Sequence, residues 1–585
     1  MLDPYSFLED LTREEVKRFI LGKNTEVRER FGKGASIHYH SLLRKLKKRV
    51  ATKIIGLDEK EYAVLYQGER GEVVVRGRVL ISISGEEVIR SLERVWNSKE
   101  LVVNIGKKGM DEGYSLVLDG KGRILNRIEG ITDSYFYLKG SLCYVRSYRR
   151  ESPPDGGETP TDRIICGDQT AGRELIRGGE FAEVMAFDET IALLVHRGWN
   201  NVVLYKGNYK GNKEFEFRKI DEGENIVVLG YKRGIIYLKG NNVLKEGEEL
   251  FRSPNPVIGG VSNGDKVALI EIENYRTSLN LYDIYGAKLL EYKGENVQSL
   301  DFLGDELIFL ESSFKRPYVI KRTNKGKVEE VEGSEDEDIS IKDLLVKGDV
   351  ELHAFLIHRG KSKGVVVYGY GGFRVPVLPG YNPLFLELVE SGFSILVTNL
   401  RGGIEKGEEW HRQGMLKNKI NVFKDFSTFL ELAKAMGARK VIGLGRSNGG
   451  LLVASTMNLF PGLMDCGVIG YPVLDMMKFH KLHVGKYWVH EYGNPEDPEY
   501  RDYLMSYSSY HNLKRGLPEA FVYTGINDDR VHPSHALKYV AKSRDLGNKV
   551  WLFVNERGGH NLASPDSRAE EYSYIISFIE ECSES

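Results

Sequence analysis

The chain has 585 residues, more than one hydrophobic core organises, so two domains are expected. Its 82 basic and 84 acidic residues leave a net charge of −2 with no long block of one sign, which argues against nucleic-acid or membrane-surface binding. With 41% apolar and 28% charged residues the composition is that of an ordinary globular protein, and no run nears the ~18 apolar residues of a membrane span.

The opening, Met1-Leu2-Asp3-Pro4-Tyr5 through Leu8-Glu9-Asp10, is acidic and lacks the apolar run of a signal peptide. Leu, Val, Phe and Ile interspersed with charges over 10–30 read as helix, and the basic cluster at 44–49 reads as a solvated helix face. From about 55 to 335 the period changes to two. Short strand-like runs recur at 73–75, 79–83, 101–105, 115–118, 191–195, 202–205, 226–229, 235–238, 267–272 and 278–282. Turn signals such as Asp119-Gly120 and Lys239-Gly240-Asn241 separate them, and 152–160 is a Pro/Gly-rich exposed loop. Many short strands without helices indicate a sandwich, a barrel or a propeller, and the region divides into seven units of roughly 40 residues, a propeller-blade length.

From about 340 the rhythm changes again. Apolar runs at 365–368, 395–400, 441–444, 521–524 and 551–554 suit buried parallel strands. Helical patterns at 422–436, 451–459, 536–546 and 570–581 alternate with them, which describes a doubly wound α/β domain. The expected organisation is an amino-terminal helical segment over 1–50, an all-β domain over 51–337 and an α/β domain over 338–585. Cys143, Cys166, Cys466 and Cys582 are scattered, with neither zinc spacing nor a disulfide framework, so a reducing cytoplasm is expected. Glutamine occurs only at positions 67, 169, 298 and 413, which in a Lys/Glu-rich chain hints at a thermophilic source.

Gly445-Arg446-Ser447-Asn448-Gly449-Gly450 carries Gly-x-Ser-x-Gly between a strand and a helix. A sharp turn there lifts the serine clear of the sheet, glycines let backbone pass where a Cβ would clash, and the helix start offers free N–H groups to a reacting carbonyl. The order serine, acid, histidine then points to Asp528 and His560, each just past a later strand. His560 would take the Ser447 proton and return it to the leaving amine, and Asp528 would fix its tautomer. His480, His483, His490, His511, His532 and His535 read as structural.

These residues sit in longer motifs that resemble the prolyl oligopeptidase family of serine peptidases over nearly the whole chain. The motifs are Tyr368-Gly369-Tyr370-Gly371-Gly372-Phe373, Arg401-Gly402-Gly403 with Glu409-Trp410-His411, and Ser447-Asn448-Gly449-Gly450. Asp475-Met476-Met477-Lys478-Phe479-His480-Lys481, Glu491-Tyr492-Gly493, Asp528-Asp529-Arg530-Val531 and Gly559-His560 complete them. The resemblance implies a seven-bladed propeller over an α/β-hydrolase site, with the amino-terminal segment packed on the hydrolase. It implies that Asp528 rather than Asp529 is the catalytic acid, and that the Tyr370 hydroxyl and the Asn448 N–H stabilise the oxyanion. It maps the specificity pocket onto Phe373, Val473, Trp488, Tyr492 and Val531, and assigns Arg530 to the carbonyl one residue upstream. An apolar pocket with an indole face suits a proline ring, which is compact and has no N–H. Arg446 and His532 depart from the family pattern.

The expectation is therefore a monomer that cuts short peptides after proline, with no metal or cofactor, because side chains complete the chemistry. A propeller lid would admit flexible peptides and exclude folded proteins. One alternative is a sibling that acts on acylated amino termini, removes dipeptides or cleaves esters. An exopeptidase would need acidic side chains near the site for the free amine, and the sequence places none. The other alternative is a propeller scaffold with an inactive hydrolase domain.

Overall fold

The computed structural model describes residues 3–211 and 214–585; Met1 and Leu2 of the opening lie outside them. Between Val50–Gly56 and Lys327–Gly333 the strands pair into seven antiparallel sheets of four. In each sheet every strand pairs with its neighbour in sequence, so each is a local meander and together they are the seven blades of a β-propeller. The ring closes through hydrogen bonds between the first and last blades. Ile54 N–H donates to Ser299 Oγ at 3.1 Å, Ser299 Oγ donates to Ile54 O at 3.0 Å, and Gly56 N–H donates to Asp301 Oδ2 at 2.8 Å.

The second domain is an α/β-hydrolase sheet of eight strands. Their order is Ser340–Lys347, Glu351–His358, Ser394–Asn399, Val365–Tyr368, Val441–Arg446, Cys466–Gly470, Glu519–Gly525 and Val550–Asn555. The last six run parallel, and apolar layers cover both faces of the sheet. Ser340–Lys347 is an antiparallel edge strand whose side chains are all exposed or half-buried, so it has no apolar run to mark it.

The helix Glu14–Lys47 buries one stripe, Val16, Ile20, Asn24, Val27, Phe31, Ala35, His38, Leu42 and Leu46, at spacings of three and four. Of its two polar members, Asn24 is fully buried and bonds both backbone groups of Val554, at 3.0 and 2.8 Å, on the outermost parallel strand, and His38 meets Glu387 at 3.0 Å. Phe31 meets Phe521, Trp551 and Phe578 edge-on. The basic cluster is less solvated than expected. Lys45 is only 10% exposed and pairs with Glu387 and Glu390, both at 2.6 Å, because this face packs against the hydrolase helix Pro383–Glu390.

Lys538 fixes the start of the chain. Its buried ammonium binds Asp475 at 2.6 Å, and Asp3 and Glu9 both at 2.9 Å. Replacing it with Met strands the Asp475 carboxylate in the core, and the expected loss is about 3–5 kcal/mol of stability. Denaturant unfolding reads this directly, and a loss under about 1 kcal/mol contradicts it.

The cysteines correct an expectation. Cys143 faces Cys166 across paired strands and bonds to it, and Cys466 bonds to Cys582 on the carboxyl-terminal helix Pro565–Glu584. Partners 23 and 116 residues apart meet only through strand register and helix packing, which spacing does not reveal. Scattered cysteines therefore give no ground for a reducing compartment. No helix is long and apolar enough to cross a membrane, among the described residues.

Candidate active site

The strand Val441–Arg446 ends directly at Ser447, which caps the helix Asn448–Leu459 with φ 61° and ψ −119°. A non-glycine residue at positive φ is strained, and here the surroundings hold it. Ser447 N–H donates to Gly470 O at 2.8 Å, and Gly450 N–H donates back to Ser447 O at 2.9 Å. The glycines are required sterically. A Cβ on Gly445 would lie 2.0 Å from Gly449 O, and one on Gly449 would lie 2.6 Å from Gly369 O. The turn directs Ser447 into a cavity of about 470 Å³ that His560 also lines.

His560 follows the strand Val550–Asn555, and its Nδ1 lies 2.8 Å from Asp528 Oδ2. That contact places the proton on Nδ1 and leaves the Nε2 lone pair free to accept one. The other Asp528 oxygen accepts the N–H groups of Arg530 and Val531, both at 2.9 Å. Burial alone would raise this carboxyl. The charge and hydrogen bond of His560 and the two N–H groups outweigh it and hold the carboxyl below its usual range. Asp529 points elsewhere, to the propeller backbone N–H groups of Asp111 at 3.0 Å and Glu112 at 2.9 Å. The two adjacent acids thus do different work: one orients the imidazole, the other ties the domains together.

Tyr370 lines the cavity beside Ser447, and burial pushes its hydroxyl well up, so it remains a protonated donor. Asn448 begins the helix after Ser447. Its side chain donates to Tyr370 O at 2.7 Å and accepts from Tyr492 Oη at 2.8 Å and Lys419 Nζ at 3.0 Å. Lys419 is 1% exposed, its ammonium pushed down to about 8 by burial, and it also holds Gly371 O at 2.8 Å. One lysine therefore ties the Gly371 loop to the start of the helix Asn448–Leu459.

The apolar wall is Phe373, Val473, Trp488 and Tyr492, each no more than 9% exposed. Tyr492 meets Phe373 edge-on at 5.4 Å, and the propeller's Trp199 also meets Phe373 edge-on, at 4.7 Å. Phe373 is held by its N–H to Glu491 Oε1 at 2.7 Å, and Glu491 Oε2 meets His411 Nε2 at 2.8 Å. These bonds give physical roles to the Glu491-Tyr492-Gly493 and Glu409-Trp410-His411 motifs. Val531 does not line the cavity; it is buried behind the wall, where its N–H serves Asp528. His532 stays off the lining too, its ring tilted against that of His483 with 4.4 Å between centroids.

Arg530 faces the cavity with its guanidinium clamped by Asp111 at 2.5 and 2.7 Å and by Asn561 at 3.1 Å. Asp111 also holds Arg149 at 2.6 Å. No motif marked Asp111, Lys419 or Trp199; for the propeller residues Asp111 and Trp199 the signal is contact across a domain boundary.

Arg446 is a positioning residue. Its Nη2 donates to His560 O at 2.8 Å, and the guanidinium lies 4.2 Å over the Tyr471 ring, whose hydroxyl donates to Glu571 at 2.7 Å. Burial, helped by the positive charges of Arg446 and Arg530, lowers His560 below its ordinary value of 6.5 despite Asp528. A general base works only when neutral, so with His560 in that role activity should fall as pH drops through this lowered value, with the acid limb of a pH profile below 6.5. Arg446→Met removes a positive neighbour and a loop anchor. The acid limb of kcat/KM should move toward neutral pH and kcat should fall about tenfold. An unmoved limb contradicts this role.

Among the described residues no group of three or more His, Cys, Asp or Glu side chains is placed to hold a metal ion. Residues 382–585 match the sequence profile of the prolyl oligopeptidase family. The chain is 32% identical over 353 residues to prolyl oligopeptidase ophP of Omphalotus olearius, covering 53% of this chain and 47% of that protein. It is 36% identical over 223 residues to a prolyl endopeptidase of Elizabethkingia miricola, covering 36% and 32%. It thus spans between a third and a half of these relatives' length. A solved prolyl endopeptidase structure superposes with a TM-score of 0.89 at 22% identity over 100% of this chain and 97% of that one, a likeness of fold.

Proposed function

We propose that this chain, whose residues 382–585 form a prolyl oligopeptidase family domain, is a serine oligopeptidase that cuts short peptides on the carboxyl side of proline. Ser447 attacks the carbonyl while His560 Nε2 takes its proton, and the imidazolium is stabilised by Asp528. Negative charge on the carbonyl oxygen falls to the Asn448 N–H and the Tyr370 hydroxyl. His560 returns its proton to the leaving amine, and a water activated by the same imidazole hydrolyses the acyl-enzyme. The single observation that carries this reading is a positive-φ serine sharing one aromatic-walled cavity with a carboxylate-anchored imidazole.

Proline suits the wall of Phe373, Val473, Trp488 and Tyr492, which offers aromatic faces and no carboxylate. The propeller restricts access, so flexible oligopeptides enter and folded proteins do not. The enzyme acts as a monomer without a cofactor. A cytoplasmic location remains the proposal, since disulfides are common inside cells of hyperthermophiles. Cleavage of blocked Gly-Pro, Gly-Ala and Gly-Arg reporters tests the specificity. Proline should exceed alanine by at least about tenfold in kcat/KM, and a preference for arginine would overturn the assignment.

A further inference from the structure

The cavity that begins at Ser447 ends on the propeller, and that far wall is acidic. Asp133 on Ile131–Leu138, Asp162 on Thr161–Cys166 and Glu183 on Phe181–Phe187 all line it. Asp162 is 4% exposed; one oxygen accepts the Ala182 N–H at 2.8 Å, and the other, Oδ1, has no hydrogen-bond partner. Asp133 Oδ1 is likewise buried and unpartnered. Glu183 has His196 Nε2 at 3.5 Å.

A second observation points the same way. Tyr487 is 8% exposed on the same lining, near Asp162 and Asp133, and its hydroxyl makes no close hydrogen bond, with Ser147 as a polar neighbour on the lining. Its ring packs edge-on against Phe181, so it cannot swing away without breaking that contact. The cations nearby are committed. Arg149 and Arg530, the basic residues of the lining, both bind Asp111. Arg163 binds Asp155 at 2.7 Å. Burial pushes Asp162 up to about 6 even with Ser147, Arg149 and Arg163 nearby, and burial together with the neighbouring acids Glu93 and Asp162 raises Asp133 well above the usual carboxylate range. Buried, unpaired acceptors are costly, and a ligand that supplies several N–H donors relieves them.

We propose that Asp133, Asp162 and Glu183, with the Tyr487 hydroxyl, form a cation-recognising subsite that receives an ammonium or guanidinium group upstream of the scissile bond. The inference rests on the oligopeptidase reading for the direction of the bound peptide. The cation has two sources, a Lys or Arg side chain or a free amino terminus, and the chemistry is the same for both. Preferred substrates are then basic or amino-free proline peptides.

Equilibrium binding to Ser447→Ala by calorimetry separates these. One pair of peptides is acetyl-Lys-Gly-Pro-amide against its norleucine counterpart; the other is free against acetylated Gly-Pro-amide. The cationic member of at least one pair should bind about tenfold more tightly, and which pair responds identifies the source. Asp162→Asn combined with Glu183→Gln should reduce the gap to under about twofold at an unchanged unfolding temperature. Should that double variant not fold, the exposed Glu183→Gln alone should narrow the gap about threefold. Equal binding in both pairs, tighter binding of the neutral members, or a gap that survives the folded variants overturns the subsite. Failure of the wild type to cleave a blocked Gly-Pro reporter would instead overturn the oligopeptidase reading and leave the binding comparison intact.

Discussion

Replacing Ser447 with Ala should lower turnover of a blocked Gly-Pro reporter by at least about 10⁴-fold while leaving peptide binding nearly unchanged. The reasoning is geometric. Ser447 is the residue that the strained turn directs into the cavity, and its neighbours Gly445 and Gly449 have no room for a side chain. Ala keeps the turn and the cavity, so the loss measures the missing nucleophile rather than collapse. An effect confined to KM, or smaller than about 100-fold, would mean that another group attacks.

Asp528→Asn should cost about 10⁴-fold in kcat, because an amide can donate to Nδ1 and so present the wrong imidazole tautomer to Ser447. The contact that makes this so is the 2.8 Å approach of His560 Nδ1 to Asp528 Oδ2. The neighbouring substitution Asp529→Asn provides the contrast. That carboxylate receives propeller N–H groups, so its loss should loosen the domain contact and change kcat less than about tenfold. Steady-state kinetics on the pair decides between them. Equal losses would remove the distinction drawn between the two acids.

What could be read from the sequence was whatever steric or short-range necessity writes locally. The elbow at Gly445-Arg446-Ser447-Asn448-Gly449 was legible because a missing Cβ is needed within a few residues of the serine. The blades were legible because every strand pairs with its neighbour in sequence. The edge strand Ser340–Lys347 was not, since neither of its faces is fully buried. Asp111 lies 419 residues from the Arg530 it clamps, and no pattern along the chain encodes such a pairing. The acidic wall was hidden for the same reason. Its three carboxylates come from three strands in two blades, and each alone reads as an ordinary surface acid. Arg446 was visible as a departure from the family pattern, but its anchoring of the His560 loop required coordinates.

Covalent trapping addresses the centre of the account most directly. A fluorophosphonate followed by peptide mass spectrometry should place a single adduct on Ser447, formed slowly or not at all when His560 is replaced by Ala. An adduct on a different residue, or labelling of Ser447 at an undiminished rate without the imidazole, would contradict a nucleophile activated by His560.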